Sequence, residues 1–172
     1  DEFIAIAARF PDARKSLSSS GGALINETFG FDMTRLGVGI YGVNPFDAGA
    51  TAVEPVARLT APVLQVRTIN AGDAVGYGAS FTAQRKSILA TISLGYGDGY
   101  PRAGSNRAAA WLAETRCPIA GRVSMDLIVL DVTDAPQPPQ IGDRAEFFGP
   151  NHAIEEAATA CGTIGYELLT GI

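Results

Sequence analysis

A chain of 172 residues with 47% hydrophobic and 18% charged side chains can fill one core, or one small domain plus part of another, and is too weakly charged to stay disordered. A net charge of −5 and a pI near 4.8, with no basic stripe interleaved with aromatics, exclude a nucleic-acid surface. No apolar run approaches the ~20 residues of a membrane span, and Asp1-Glu2-Phe3-Ile4 lacks the basic start of a signal peptide.

In chain order, Phe3 to Phe10 reads as a short apolar helix or strand end followed by a Pro-Asp turn. Ser16 to Gly22 reads as a strand passing into a small-residue loop. Arg35-Leu36-Gly37-Val38-Gly39-Ile40-Tyr41-Gly42 is a glycine-punctuated apolar segment. Asn44-Pro45 and Asp47-Ala48-Gly49 supply turn chemistry, and a domain boundary is placed there. Beyond residue 55 the pattern changes to period two with β-branched residues, so Val56 to Ile69 predicts one long strand or two, and Ile88 to Leu94 another. From Ile119 to Val132, the residues Val123, Met125, Leu127, Val129 and Asp131 share one parity, which predicts a third strand region. Ala145 to Phe148 predicts one more short strand. Asn151 is expected to cap a helix that runs through Cys161 and stops at Gly162, and Thr163 to open another.

Two cysteines and one histidine, without paired spacing, leave no disulfide framework and no metal site to expect. The reducing cytoplasm is the simplest compartment. The chemistry must then come from five clusters: Ser18 to Gly22, Arg35 to Gly39, Val75-Gly76-Tyr77-Gly78, the loop Gly95-Tyr96-Gly97-Asp98-Gly99-Tyr100-Pro101-Arg102, and Gly121-Arg122-Val123-Ser124-Met125-Asp126. Each alone has a plain reading. The Ser/Gly stretch can be a turn as well as a phosphate cradle. Arg35 can end in an exterior ion pair. Tyr77 can mark a strand end, and Met125-Asp126 can be core plus a buried acid paired with Arg122. His152 reads as a surface residue, and Lys15 and Lys86, the only lysines, as solvated side chains.

Together and in this order, the clusters resemble the C-terminal portion of the alanine racemase family, with Tyr166-Glu167 as a late match. The resemblance runs from about Ser16 to Tyr166. It implies a mainly β fold: a β-barrel-like C-terminal domain at 49–172, preceded at 1–48 by the last strand/helix units of a pyridoxal-phosphate-binding (β/α)8 barrel. It also implies roles. Tyr77 resembles the catalytic tyrosine that moves a proton on one face of the substrate's α-carbon. Arg35 resembles the arginine facing the pyridine nitrogen of pyridoxal 5′-phosphate. Ser20, the backbone of Gly37 and Val38, and Tyr166 resemble the phosphate cradle, and Tyr96, Met125 and Asp126 the residues that shape the substrate pocket.

Physical chemistry suits these roles. Racemisation needs an acid or base on each face of a flat carbanion, and a phenol, which ionises near ~10 when free, serves as a base only when neighbouring charge tunes it. An arginine does not give up its proton, so it leaves the pyridine nitrogen unprotonated, limits delocalisation and shortens the carbanion's life. A decarboxylase on the same barrel would want a carboxylate in place of Arg35.

The resemblance also marks what is missing. The family's Schiff-base lysine, its second acid/base, stands in a Lys-Ala-Asn-like setting that neither Lys15 nor Lys86 has. Starting at Asp1 rather than Met, the chain is expected to be a fragment, inactive alone. Ser19 stands where the family often has asparagine. The implied parent interconverts L- and D-alanine, supplying D-alanine for peptidoglycan, as a head-to-tail homodimer in which Tyr77, Tyr96, Met125 and Asp126 reach the cofactor of the opposite subunit. Racemisation of lysine, serine or a broad range of amino acids is the alternative within the enzyme class. A non-catalytic β-barrel binding module is the alternative outside it.

Overall fold

The computed structural model describes residues 2–46 and 53–172. The boundary expected at 48/49 lies outside the described residues. The chain divides into two compact units, Asp1–Val56 and Ala57–Ile172.

In the first unit the opening apolar stretch forms helix α1 (Glu2–Ala7), whose Phe3 ring meets Phe31 edge-on with centroids 4.8 Å apart. The Ser16–Gly22 reading is corrected here. Ser20-Gly21-Gly22 opens helix α2 (Ser20–Ile25) instead of a loop, and the strand before it shrinks to a single parallel bridge between Ser19 and Arg35. The reason is local. Ser20 turns its hydroxyl to the backbone of the next segment, and the Ala23 N–H already reaches back to the Ser19 carbonyl. The second segment closes as a 3-10 turn, Val38–Tyr41.

The second unit is mainly β. Strands β1 (Leu59–Ile69), β2 (Ala74–Val75), β3 (Phe81–Thr82), β4 (Ser87–Ile92), β5 (Ala109–Leu112), β6 (Thr115–Pro118), β7 (Ile128–Asp131) and β8 (Arg144–Phe148) are followed by helices α3 (Ile154–Ala160) and α4 (Gly165–Gly171). Six of them form one antiparallel sheet in the order β6-β5-β8-β1-β4-β7. Strand β1 is shared between neighbours: its first half pairs with β8, its second with β4, and the register slips between Val63 and Gln65. Pro62, which has no N–H to give a ladder, stands just before that slip, and a bulge beside it bends the strand. The curled sheet nearly closes. Ile119, just past β6, bridges Leu130 of β7, and the Ala120 N–H donates to the Val129 carbonyl at 2.8 Å. The result is a six-stranded barrel-like sheet. Its interior holds Val63, Ile92, Leu112, Ile119, Ile128, Leu130 and Phe147, with the Tyr100 ring set edge-on to Phe147 at 5.0 Å.

Three sequence readings need correction in this unit. The parity expected from Val123 to Asp131 is not a buried strand face. Only Ile128–Asp131 is strand; Val123 is buried, but Met125 and Leu127 of the same parity are exposed, and within the strand it is Ile128 and Leu130 that are buried. The Ser124 and Met125 carbonyls accept the N–H groups of Tyr96 and Gly97, so that stretch serves another loop rather than a ladder. Asn151 does not cap α3; its backbone N–H and Nδ2 both donate to the Glu146 carboxylate, and the helix begins at Ile154 after Ala153. His152 is buried, not a surface residue, with its ring 6.5 Å from that of Trp111. Desolvation lowers its pKa below the usual histidine value.

Candidate active site

Tyr77 occupies the tip of the short β2–β3 hairpin. Val75, 2% exposed, anchors the hairpin's base in a second apolar cluster with Ile69, Leu89 and Ala120. Gly76 and Gly78 flank the tyrosine at φ +76° and +69°, a region that costs a side-chain-bearing residue strain. That backbone lifts Tyr77 outward, and the residue is 73% exposed. Behind the turn lies the strip Gly121–Asp126. A Cβ on Gly76 would stand 3.2 Å from the Arg122 nitrogen, and one on Gly78 would stand 3.4 Å from the Arg122 guanidinium. A permanent positive charge therefore lies beside the tyrosine turn.

The same strip carries the Tyr96 loop. Tyr96 N–H donates to the Ser124 carbonyl at 2.9 Å and Gly97 N–H to the Met125 carbonyl at 2.7 Å. Asp98 closes the loop by accepting the Gly95 N–H at 2.9 Å. A Cβ on Gly95 would overlap the Met125 carbonyl, so only glycine allows this approach. Tyr96 remains exposed, whereas Tyr100 is fully buried and burial pushes its phenol far above the ordinary tyrosine value. Tyr100 is thus a packing anchor that keeps its proton, accepting a weak Cys161 Sγ–H contact at 3.9 Å. Met125 and Asp126 are exposed on the strip, and no ion pair joins Asp126 to Arg122 among the described residues. Helix α4, which carries Tyr166, ends against this loop: a Cβ on Gly99 would overlap the Gly171 carbonyl. One end of the barrel therefore gathers the Tyr77 turn, the Tyr96 loop, Met125 and Asp126.

The remaining expected residues form a group of their own in the first unit. Ser20, 3% exposed, accepts the N–H groups of Gly37 and Gly39 at 3.0 and 3.2 Å, so its own hydroxyl hydrogen is left to donate. The Gly37 N–H is thereby committed to Ser20, and Val38 heads the 3-10 turn. The Arg35 guanidinium is exposed and donates to the Ser16 and Leu17 carbonyls, with no carboxylate against it among the described residues. A free hydroxyl donor, a turn-heading amide and a permanent cation make a donor set suited to a phosphate group and a ring-nitrogen acceptor. Of the lysines, Lys15 Nζ is held by the Pro11 carbonyl at 2.8 Å and Lys86 is exposed. Among the described residues no helix is long and apolar enough to cross a membrane.

Nothing in the sequence pattern singles out Ser105 and Asn106, yet both touch the strip. Ser105 Oγ accepts the Val123 N–H at 3.0 Å, and Asn106 Oδ1 accepts the Gly121 N–H at 2.6 Å. Their only signal is an asparagine at φ +54°, a conformation asparagine tolerates better than most.

A strand-rich barrel with a tyrosine held between two glycines at one end defines a class, and comparison with known proteins gives that class a family. Residues 56–172 match the family described as alanine racemase, C-terminal domain. An alanine racemase from Methylobacterium sp. (strain 4-46) is 46% identical over 172 residues, which is 99% of this chain and 47% of the relative. The crystal structure of alanine racemase from Bartonella henselae with covalently bound pyridoxal phosphate superimposes with a TM-score of 0.88 at 41% identity, covering 98% of this chain and 47% of that one. The biosynthetic alanine racemase from Pseudomonas aeruginosa also superimposes at 0.88, with 35% identity over 99% of this chain and 48% of that one. The chain belongs to the alanine racemase family and comprises its C-terminal domain. It spans about half the length of the relatives it matches.

Proposed function

We propose that the full-length protein to which this chain belongs is an alanine racemase, interconverting L- and D-alanine, and that this chain supplies one of its two acid/base groups. The observation that carries the reading is Tyr77, lifted by two left-handed glycines out of the barrel's end and backed by the Arg122 guanidinium.

Ser20, Val38 and Tyr166 would hold the phosphate of pyridoxal 5′-phosphate, with Gly37 supporting Ser20, and Arg35 would face the pyridine nitrogen. The covalent pyridoxal phosphate in the Bartonella henselae relative favours this cofactor. When bound, it supplies the electron sink that makes the substrate's α-hydrogen acidic. The chain's own residues do the rest. The Tyr77 phenolic oxygen takes or returns a proton on one face of the α-carbon. Tyr96, Met125 and Asp126 bound the pocket and orient the small substrate. Arg35 keeps a proton off the pyridine nitrogen. The opposite face belongs to the lysine that anchors the cofactor; no lysine of this chain has that setting, so the chain alone does not racemise.

The exposed cluster of Tyr77, Tyr96, Met125 and Leu127 supports a homodimer in which this end serves the partner's cofactor. Provision of D-alanine for peptidoglycan is proposed on the likeness to the biosynthetic Pseudomonas aeruginosa enzyme. Its compartment is proposed to be the cytoplasm.

The test compares wild-type and Tyr77→Phe full-length protein in L-alanine racemisation with added pyridoxal phosphate. Activity lost by roughly 10²–10⁴-fold, the usual worth of a positioned acid/base, with cofactor absorbance retained, supports the reading. Undiminished turnover in Tyr77→Phe, or no racemisation by the wild type, refutes it.

A further inference from the structure

We propose that Asn106 is the positioning residue that holds the Tyr77 turn in its working place; the proposal rests on the reading of Tyr77 above. The turn has little to hold it by itself. Gly76, Gly78 and Ala79 all have positive φ, the Ala79 N–H donates to the Gly76 carbonyl at 3.2 Å, and the tyrosine is mostly in solvent. Glycine-flanked backbone with so few constraints samples widely unless something outside fastens it.

Asn106 is that fastener. Its Nδ2 donates to the carbonyl of Ser80, the residue that ends the Tyr77 turn, at 2.9 Å. Its Oδ1 accepts the Gly121 N–H at 2.6 Å, and its own N–H donates to the Gly121 carbonyl at 3.1 Å. One side chain thus ties the turn to the strip whose Arg122 packs beneath Gly78, so the tyrosine and its neighbouring cation share a single clasp. Next to it, Ser105 Oγ holds the Val123 N–H while donating to the Arg102 carbonyl at 2.6 Å. The strip pinned by these two residues is the one that carries the Tyr96 loop. The left-handed backbone of Asn106 aims its carboxamide at both neighbours at once, and nothing in its contacts suggests a second duty.

Asn106→Asp isolates the bond to Ser80. It keeps an acceptor for the Gly121 N–H and sets an oxygen, not a donor, against the Ser80 carbonyl. Asn106→Gly, which accepts the φ without strain, serves if the first variant does not fold. In the full-length enzyme, kcat should fall about 10-fold with KM changed less than about 2-fold, since a displaced catalytic group costs rate more than binding. In the Tyr77→Phe background the same substitution should cost nothing further, because its effect acts through the tyrosine. Hydrogen exchange should rise at least about 10-fold at the hydrogen-bonded Ala79 amide and in the β2–β3 pair that carries the turn, and stay unchanged in β4. Unaltered kcat and exchange would overturn the proposal, as would equal losses with and without Tyr77, the mark of a general effect on the fold. If the wild type fails to racemise at all, the reading of Tyr77 falls. The exchange result then decides alone whether Asn106 holds the turn.

Discussion

The two units bury their apolar residues very differently. In the second, two closed apolar clusters stand among the described residues, and Val63, Ile92, Ile128, Leu130 and Phe147 are wholly inside. In the first, Val38 and Val43 are the buried apolar residues among those described, while Ile4, Ile6, Phe10, Ile25, Phe29 and Phe31 face outward. What order the first unit has comes from polar ties: Lys15 N–H to Asp32 at 2.8 Å, Ser18 Oγ to the Phe29 carbonyl at 2.7 Å, and the two amides on Ser20. Such bonds are worth about 1 kcal/mol each, net, whereas a buried large side chain is worth about 1.5–3. Ser20, Arg35, Gly37 and Val38, four of the residues proposed for the cofactor, thus stand on the unit with the weaker internal support, whereas Tyr166 and the proposed catalytic Tyr77 stand on the one with its own core.

Phe147→Ala should break this contrast most severely. Removing a fully buried ring that packs on Tyr100 should cost about 3–5 kcal/mol in chemical denaturation. A loss no larger than that of a surface change would mean the barrel interior is not the support it looks. Gly95→Ala comes next. A methyl driven into the Met125 carbonyl should cost about 1–3 kcal/mol and, in the full-length enzyme, raise KM by moving Tyr96; unchanged stability and KM would show that the loop can give way.

A smaller, pH-dependent effect belongs to His152, the chain's single histidine. Burial lowers its pKa in the folded state, so the unfolded chain binds the extra proton first. The folded state keeps its full stability above about 6.5, the ordinary histidine value, and loses it as pH falls from there toward the lowered folded value. His152→Gln should flatten that part of the profile, measured by melting at pH 8 and pH 5. An identical acid slope in both proteins would place the sensitivity elsewhere. The smallest change is expected in the first unit: Ile25→Ser, at an exposed position, should alter stability by less than about 0.5 kcal/mol.

Legibility in the sequence followed the range of the interactions. Strands β1, β4 and β8 were readable because β-branched residues and period-two alternation are local signals. The paired tyrosine loops were readable because glycines that permit close backbone approach leave a compositional trace around Tyr77 and Tyr96. The stretch from Val123 to Leu127 misled because its Ser124 and Met125 carbonyls answer the Tyr96 loop, which lies farther along the chain than the window of about 11–18 residues in which periodicity is read. Asn151 looked like a cap but was claimed by Glu146, whose other oxygen contact is Arg58 Nε at 2.7 Å. His152 and Asn106 are set by tertiary contacts alone, so no spacing could announce them.

The most direct test of the central claim uses the full-length enzyme in deuterium oxide, following loss of the α-hydrogen from each alanine enantiomer separately. If Tyr77 serves one face of the α-carbon and the anchoring lysine the other, Tyr77→Phe should abolish washout from one enantiomer and leave it in the other. Equal washout from both enantiomers, whether at the wild-type rate or uniformly slowed, would contradict the assignment of Tyr77 to a single face.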